Sequence, residues 1–373
     1  MEFLLTCNAW LESIAKKEII TAWWEIKEVK DRLVFFTWND DLIAKINLWS
    51  RIWNKLYIVL NSKKNVDNFD KLYDLVWAID WKKYIQTNFP IVTKATSLKS
   101  LINSTPAIQK ITKKAIVDKL TNKSWALVRE DSSLPAMEIF TFFIEDEAFV
   151  LLNTTWETLH KRWYRDDTWE APIKETLAAG LVLLSNWNFS KPLLDFCCWS
   201  WTIAIEAVMI AKNIAPGLTR FFAFEKWDFI DKNLMKNEIE LAKSKIFDKK
   251  YNITASDINP EMIEIAKQNA KNAWVLDDIN FQVKDLKEYR KEALEGSIIS
   301  NPPYWIRLQQ DDLDVLYKNI AIIFDKNPTL NGWIITSYQD FQKYIPKNKF
   351  KNRKLYNWNE LCYFYQKIST FNK

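Results

Sequence analysis

The sequence is poor in glycine. Average usage of roughly 7% predicts about 26 glycines in a chain of this length, yet its 373 residues hold 4, and tryptophan stands at 20. The shortfall in one is close to the surplus in the other, which points to decoding rather than to a tryptophan-rich protein. Most of these tryptophans read as UGA codons that mean glycine in the source organism and are translated here as tryptophan. The opposing reading makes them real aromatics that fill a core or stack on bases. Position favours the first: Trp163 in "HKRWYRDDTWEAP", Trp274 in "AKNAWVLDD" and Trp305 after "NPPY" fall at turns and helix ends. Such sites call for the positive φ that glycine supplies. Trp49, Trp81, Trp187 and Trp227 lie in apolar or amphipathic contexts and read as genuine, while Trp77, Trp125 and Trp333 stay open either way.

Histidine is nearly absent as well. His160 alone excludes a histidine-based triad or a histidine-rich metal site, and is read as a turn or surface residue. The cysteines Cys7, Cys197, Cys198 and Cys362 show no metal-ligand spacing, so no metal is expected; reduced thiols fit a cytoplasmic protein. The start "MEFLLTCNAW" is too short an apolar run for a signal peptide, and no stretch is long enough to span a membrane, so no membrane partner is expected.

The residues that are present describe three regions. Residues 1–55 read as a small α+β unit, with strand "FLLTC", helix "LESIAKKEII", strand "EIKEVKDRLVFFT" and helix "DDLIAKINLWSRI". Residues 56–157 read as a second unit, opened by strand "KLYIVL" and closed by the strands of "AMEIFTFFIEDEAFVLL". Within it, residues 81–123 carry nine lysines against one acid, Asp118, a larger excess than the net +5 of the whole chain. A compact domain with so local a charge suits a polyanion. From residue 158 to 373 strands and helices alternate, including a strand at "FFAFE" and a helix over "DFIDKNLMKNEIELAKSKI". Alternation of this kind predicts a mostly parallel, Rossmann-like α/β sheet, whose ligands bind beyond the carboxyl ends of the strands.

Three such ends carry chemistry. "LDFCCWSWT", read with glycine at Trp199 and Trp201, is a strand, a tight turn and a helix entered at Thr202, with backbone N–H groups facing a ligand. Strand "NITASD" ends in Asp257, placed to accept both hydrogen bonds of a ribose diol; strand "FQVKD" ends in Asp285, in reach of an adenine amino group. Each aspartate alone is as well explained by helix capping. Together with the turn they suit S-adenosyl-L-methionine, which needs no phosphate-binding lysine. The most specific signal is "SNPPY" at the next strand end. An amine on an aromatic ring is a poor nucleophile because its lone pair is delocalised. Acceptors at the Asn301 side chain and the Pro302 carbonyl can draw its N–H groups toward sp³ geometry. Pro303 stiffens the loop and Tyr304 can stack on the base, which must be unpaired or flipped to arrive there.

With those motifs in place, the chain resembles the THUMP-domain class I RNA methyltransferases, and within them most the RlmL/YpsC-like enzymes that methylate the N2 amine of a guanine in large-subunit ribosomal RNA. The resemblance rests on "TCNAWLESIAKKEI", "TPAIQKITKKAIVDKL", "LHKRWYRDDTWEAPIKETLAA", "LLDFCCWSWTIAIEA", "ASDINPEMIEIAKQNA", "SNPPYWIRL" and "RKLYNWNELCYFYQ". The family has glycine where this chain has Trp10, Trp163, Trp169, Trp199, Trp201, Trp274, Trp305 and Trp358. The resemblance implies a ferredoxin-like domain over 1–55, a THUMP RNA-binding domain over 56–157 and a methyltransferase domain over 158–373. It places the cofactor over Asp195, Cys197, Cys198, Trp199, Ser200, Trp201 and Thr202, over Asp257 with Ile258, and near Asp285. Asn301, Pro302, Pro303 and Tyr304 would hold the target amine. Structured RNA would meet the basic strip at Lys94, Lys99, Lys110, Lys113 and Lys114. Alternatives are a guanine-N2 methyltransferase of transfer RNA, an adenine-N6 methyltransferase, and a non-catalytic RNA-binding protein whose cofactor site is closed by real tryptophans.

Overall fold

In the computed structural model, the residues described are 1–7, 11, 14–15, 18, 26–30, 33–37, 39, 41–85, 88–122, 130–165, 173–199, 202–304, 310–357 and 360–368. The expected helix at "LESIAKKEII" falls largely outside them, as do Trp10, Trp125, Trp169, Ser200, Trp201, Trp305 and Trp358. The backbone packs as two units. One is Met1–Thr6, Glu18–Leu159 and Phe221–Glu240; the other is Cys7–Lys17, His160–Arg220 and Leu241–Lys373.

The first unit holds a seven-stranded sheet of order β2-β3-β1-β4-β7-β6-β5. Its strands are β1 (Glu2–Cys7), β2 (Ile26–Lys30), β3 (Leu33–Thr37), β4 (Trp53–Lys63), β5 (Ile91–Leu98), β6 (Met137–Ile144) and β7 (Glu147–Asn153). Strand β4 crosses residues 55 and 56, so one sheet serves both N-terminal regions. The run "EIKEVKDRLVFFT", expected as one strand, is instead an antiparallel hairpin of β2 and β3 with Lys30 opposite Leu33. Helix Thr105–Leu120 covers β5, with Thr93 Oγ1 donating to the Gln109 carbonyl and a buried Thr112–Thr141 contact beneath.

The expected strand at "FFAFE" does not form. Ala223–Lys226 is a 3-10 turn, because the Phe222 N–H donates to Glu225 Oε1 at 2.7 Å and Phe224 N–H to the Thr154 carbonyl at 3.3 Å. Phe222 and Phe224 are buried as a stacked pair, so the alternation was that of two packed aromatics and not of a ladder. The helix that follows starts only at Leu234.

The second unit holds a sheet of order β10-β9-β8-β11-β12-β14-β13. These are β8 (Leu193–Asp195), β9 (Ile253–Asp257), β10 (Asn280–Val283), β11 (Ser297–Ser300), β12 (Asn331–Thr336), β13 (Phe350–Asn357) and β14 (Glu360–Lys367). Strands β8 to β12 run parallel, β14 runs antiparallel to β12, and β13 pairs antiparallel with β14. Ile298, Tyr317, Ile320, Ile323 and Phe324 form the core on one face, where full burial of each large apolar side chain contributes roughly 1.5–3 kcal/mol.

The tryptophans divide by environment. Trp81 and Trp187 are buried and their indole N–H groups donate to the carbonyls of Val76 and Lys191; Trp49 donates to Glu238, and Trp227 stacks on Phe229. Trp333, open from sequence, is buried in β12 and stacked on Phe364, and Trp77 is stacked on Tyr73. Trp163 and Trp274 take φ of 65° and 59°, the left-handed region that a side chain with a Cβ adopts only at a cost. They are 42% and 64% exposed. Trp156, which the sequence did not single out, behaves alike at φ 72°.

Candidate active site

The parallel strands bring their carboxyl ends to one edge. Asp195 ends β8 opposite Ala255 of β9, Asp257 ends β9 opposite Val283 of β10, and Ser300 ends β11. Asp195 is buried and accepts from Ser300 Oγ at 2.6 Å. Burial pushes its carboxyl up to about 7; the Ser300 and Cys197 hydrogen bonds pull it down and the Asp257 charge raises it further. Ser300, which sequence reasoning missed although it directly precedes Asn301, also accepts from the Cys197 N–H at 3.2 Å.

The turn after β8 is laced to β9. Cys198 N–H donates to the Ser256 carbonyl at 3.1 Å, and its thiol points to the same oxygen. Trp199 N–H donates to Asp257 Oδ2 at 3.2 Å, and Asp257 Oδ1 accepts from Asn259 N–H at 3.0 Å. Burial raises the Asp257 carboxyl above its ordinary range. Ile258 beside it is exposed. Asp285 lies two residues past β10, and its Oδ1 accepts from Lys287 N–H at 2.8 Å; this is the local capping role, formed ahead of the turn Glu288–Lys291.

Thr202 opens helix Thr202–Ala211 and is fully buried. A crevice of about 170 Å³ lies in front of it, with Asp195, Cys197, Trp199, Thr202, Ile173 and Asn301 in its walls. The structure thus joins the turn and the "SNPPY" loop in one site. The space that Trp199 lines is narrow for a nucleoside-bearing cofactor. Strand-end carboxylates and a helix N-terminus suit such a cofactor; a tryptophan at position 199 does not.

Asn301 Oδ1 is buried and has no hydrogen-bond partner among the described residues. An orphaned buried acceptor costs about 1–3 kcal/mol, and here it lines the crevice. Behind it the Pro303 carbonyl accepts from the Tyr317 hydroxyl at 3.2 Å. Tyr304 packs against the core cluster, and burial pushes its phenol well above the ordinary range.

Four of the expected RNA-binding lysines need comment. Lys94 pairs with Glu138, Lys99 with Glu145 and Lys113 with Glu130, whereas Lys114 is exposed over the Tyr73 ring. Lys110 is exposed on the same helix. His160 sits in a turn but is largely buried, and burial with neighbouring cations holds its imidazole neutral, its pKa lowered to about 3. All four cysteines are free thiols. Among the described residues no helix is long and apolar enough to cross a membrane, and no group of three His, Cys, Asp or Glu could hold a metal.

A parallel sheet closed by an antiparallel pair, with its acids, its turn and its Asn-Pro-Pro-Tyr loop on one edge, is the class I methyltransferase architecture. Residues 162–366 match the RMKL-like methyltransferase domain, residues 2–57 the RlmL ferredoxin-like domain and residues 66–153 the THUMP domain, and the chain belongs to this family of RNA methyltransferases. It is 36% identical over 361 residues to YpsC of Bacillus subtilis, a protein named as an RNA methyltransferase, covering 95% of this chain and 92% of that one. It is 34% identical over 373 residues to the ribosomal RNA large subunit methyltransferase K/L of Buchnera aphidicola, with 93% of this chain and 52% of that protein covered. The chain spans about half the length of the K/L relatives it matches. Among solved structures, a methylase from Clostridium difficile superposes with a TM-score of 0.93 at 36% identity, covering 100% and 99% of the two chains. SMU.472, a methyltransferase complexed with SAH, does so at 0.91 and 34%, again over 100% and 99%.

Proposed function

We propose that the protein transfers a methyl group from S-adenosyl-L-methionine to the exocyclic N2 amine of a guanine in the 23S RNA of the large ribosomal subunit. The observation that carries this reading is the buried, unpartnered Asn301 Oδ1 beside the crevice. An acceptor there takes one N–H of the amine and holds its lone pair toward the reacting carbon. The Pro302 carbonyl takes the second. When bound, the cofactor supplies an electrophilic methyl on a sulfonium, so an N–C bond forms as the S–C bond breaks. The methylated amine is acidic and loses its proton to water, which is why the chain needs no strong base. Asp257 is the residue to hold the ribose, and the backbone from Cys197 to Thr202 the residues to face the rest. Lys110 and Lys114, exposed on one helix, and Lys99, just past β5, are the cations to meet RNA phosphates. Transfer RNA guanine-N2 and adenine-N6 remain the neighbouring substrates on this reading. The narrow crevice favours a second reading, an RNA-binding protein whose cofactor site is closed.

The test uses the protein isolated from its source organism. Peptide masses across residues 192–212 and 297–307 report whether 199, 201 and 305 are glycine. Labelled methyl transfer to large-subunit ribosomal RNA, followed by nucleoside analysis, then reads the product. Glycine masses with N2-methylguanosine support the reading; tryptophan masses with no transfer support the closed site; N6-methyladenosine overturns the choice of base.

A further inference from the structure

The loop that holds the target amine is itself held by the antiparallel hairpin that closes the sheet. Asn357 ends β13 and Cys362 lies in β14, and both reach the Tyr304 hydroxyl: Asn357 Nδ2 donates to it at 3.0 Å and the Cys362 thiol lies at 3.9 Å. Asn357 is 6% exposed and Cys362 is fully buried, so the tether is shielded from water, where a hydrogen bond constrains geometry more strongly. The hairpin is fixed in turn. Asn357 stands opposite Glu360, Thr336 of β12 pairs with Tyr363, and Ser337 Oγ donates to Glu360 at 2.6 Å. The tip of the hairpin therefore belongs to the same edge as the strand-end residues of the site.

We propose that Asn357 is a positioning residue for methyl transfer: it fixes the ring of Tyr304 so that a target base received there presents its amine at Asn301. The packing of the ring on the core needs no hydroxyl, and a phenylalanine would fill it equally. The hydroxyl is used for the tether, and the tether sets the last degree of freedom of the platform, the rotation of the ring about its side-chain bonds. Among the described residues, the Asn357 side chain donates to Tyr304. Its influence runs through Tyr304. This inference rests on the reading of Asn301 to Tyr304 as the amine-holding loop.

A double-mutant cycle of Asn357→Leu and Tyr304→Phe tests it, in the chain carrying Trp199→Gly, Trp201→Gly and Trp305→Gly, with kcat and KM on large-subunit ribosomal RNA as readouts. Each single change is expected to lower kcat by about tenfold, the worth of one buried hydrogen bond, with the KM for S-adenosyl-L-methionine unmoved. The double variant is expected to be no slower than the slower single one within about twofold. If Asn357→Leu lowers kcat as much in the Tyr304→Phe background as in the parent, Asn357 acts elsewhere and the inference is overturned, while the proposed function stands. If the parent transfers no methyl group to RNA, the proposed function falls and the inference with it. Unfolding midpoints of the four chains give a second arm that needs no activity: an equal loss from Asn357→Leu in both backgrounds also overturns the tether.

Discussion

The turn after β8 and the loop after β11 sit at the ends of adjacent strands and differ in what they leave open. In the turn, the local donors are consumed: Cys197, Cys198 and Trp199 give their N–H groups to Ser300, Ser256 and Asp257. Trp199 also lines the narrow crevice in front of it. In the loop, the backbone is pinned from behind through Pro303, and one acceptor, Asn301 Oδ1, is left buried with no partner. One region looks closed and the other waiting. The difference teaches that, among the described residues, the acids, serine and asparagine of this edge are brought together, and that the misfit lies at Trp199.

The largest expected effect breaks the open region. Asn301→Ala removes the acceptor and should lower methyl transfer by about 10²–10³-fold, the usual loss when one preorganised transition-state partner is deleted. Isothermal titration should meanwhile find the affinity for S-adenosyl-L-methionine within about threefold of the parent. A comparable drop in affinity would mean that Asn301 belongs to the cofactor and not to the base. Next in size, Trp199→Gly with Trp201→Gly should open the closed region and tighten S-adenosyl-L-methionine binding by at least about tenfold, because removed bulk no longer competes with the ligand in a packed site. Unchanged affinity would show that the turn and not its side chains closes the crevice.

Two buried acids supply a pH test. Asp195 and Glu175 are both buried, and burial raises each carboxyl to about 7 from an ordinary value near 4. A folded-state pKa above the unfolded one means that the native chain binds more protons between those two values. The contribution of these two groups to stability should therefore fall as pH rises from about 4 to 7 and flatten above it. Asp195→Asn should remove part of that slope when unfolding midpoints are followed over this range. A midpoint that climbs with pH in the parent, and does so equally in Asp195→Asn, would contradict the buried, uncharged carboxyl.

Much of this edge was legible because each strand that ends there is a short apolar run stopped by a polar residue: "LLD", "ITASD", "SIISN". Asn301 could be read as an acceptor from its chemistry alone. What could not be read is the support. Asn357 and Tyr304 are 53 residues apart, Tyr317 and Pro303 sit on different elements, and no periodicity links either pair. Asp285 was ambiguous for a physical reason, since a carboxylate after a strand serves a turn as well as a ligand, and here the Lys287 N–H takes it. The false strand at Phe221 to Glu225 arose because two stacked phenylalanines mimic the period of a ladder.

The smallest expected effect sharpens the comparison away from the site. Trp163 and Trp274 hold positive φ on the surface, whereas Trp81 and Trp187 fill the core with their indole N–H groups satisfied. If the first pair stands where the natural chain has glycine, replacing it should relieve strain of about 1–2 kcal/mol per residue. Glycine returns part of that gain, roughly 0.4–1 kcal/mol, through the freedom it adds to the unfolded chain. The net is a stabilisation of up to about 1.5 kcal/mol each for Trp163→Gly and Trp274→Gly, additive where the two sites share no partner. Denaturant unfolding of the two single variants and the double measures it. A loss at either position would mean that its ring makes contacts worth more than the backbone strain, and that tryptophan there is a residue the fold has come to use.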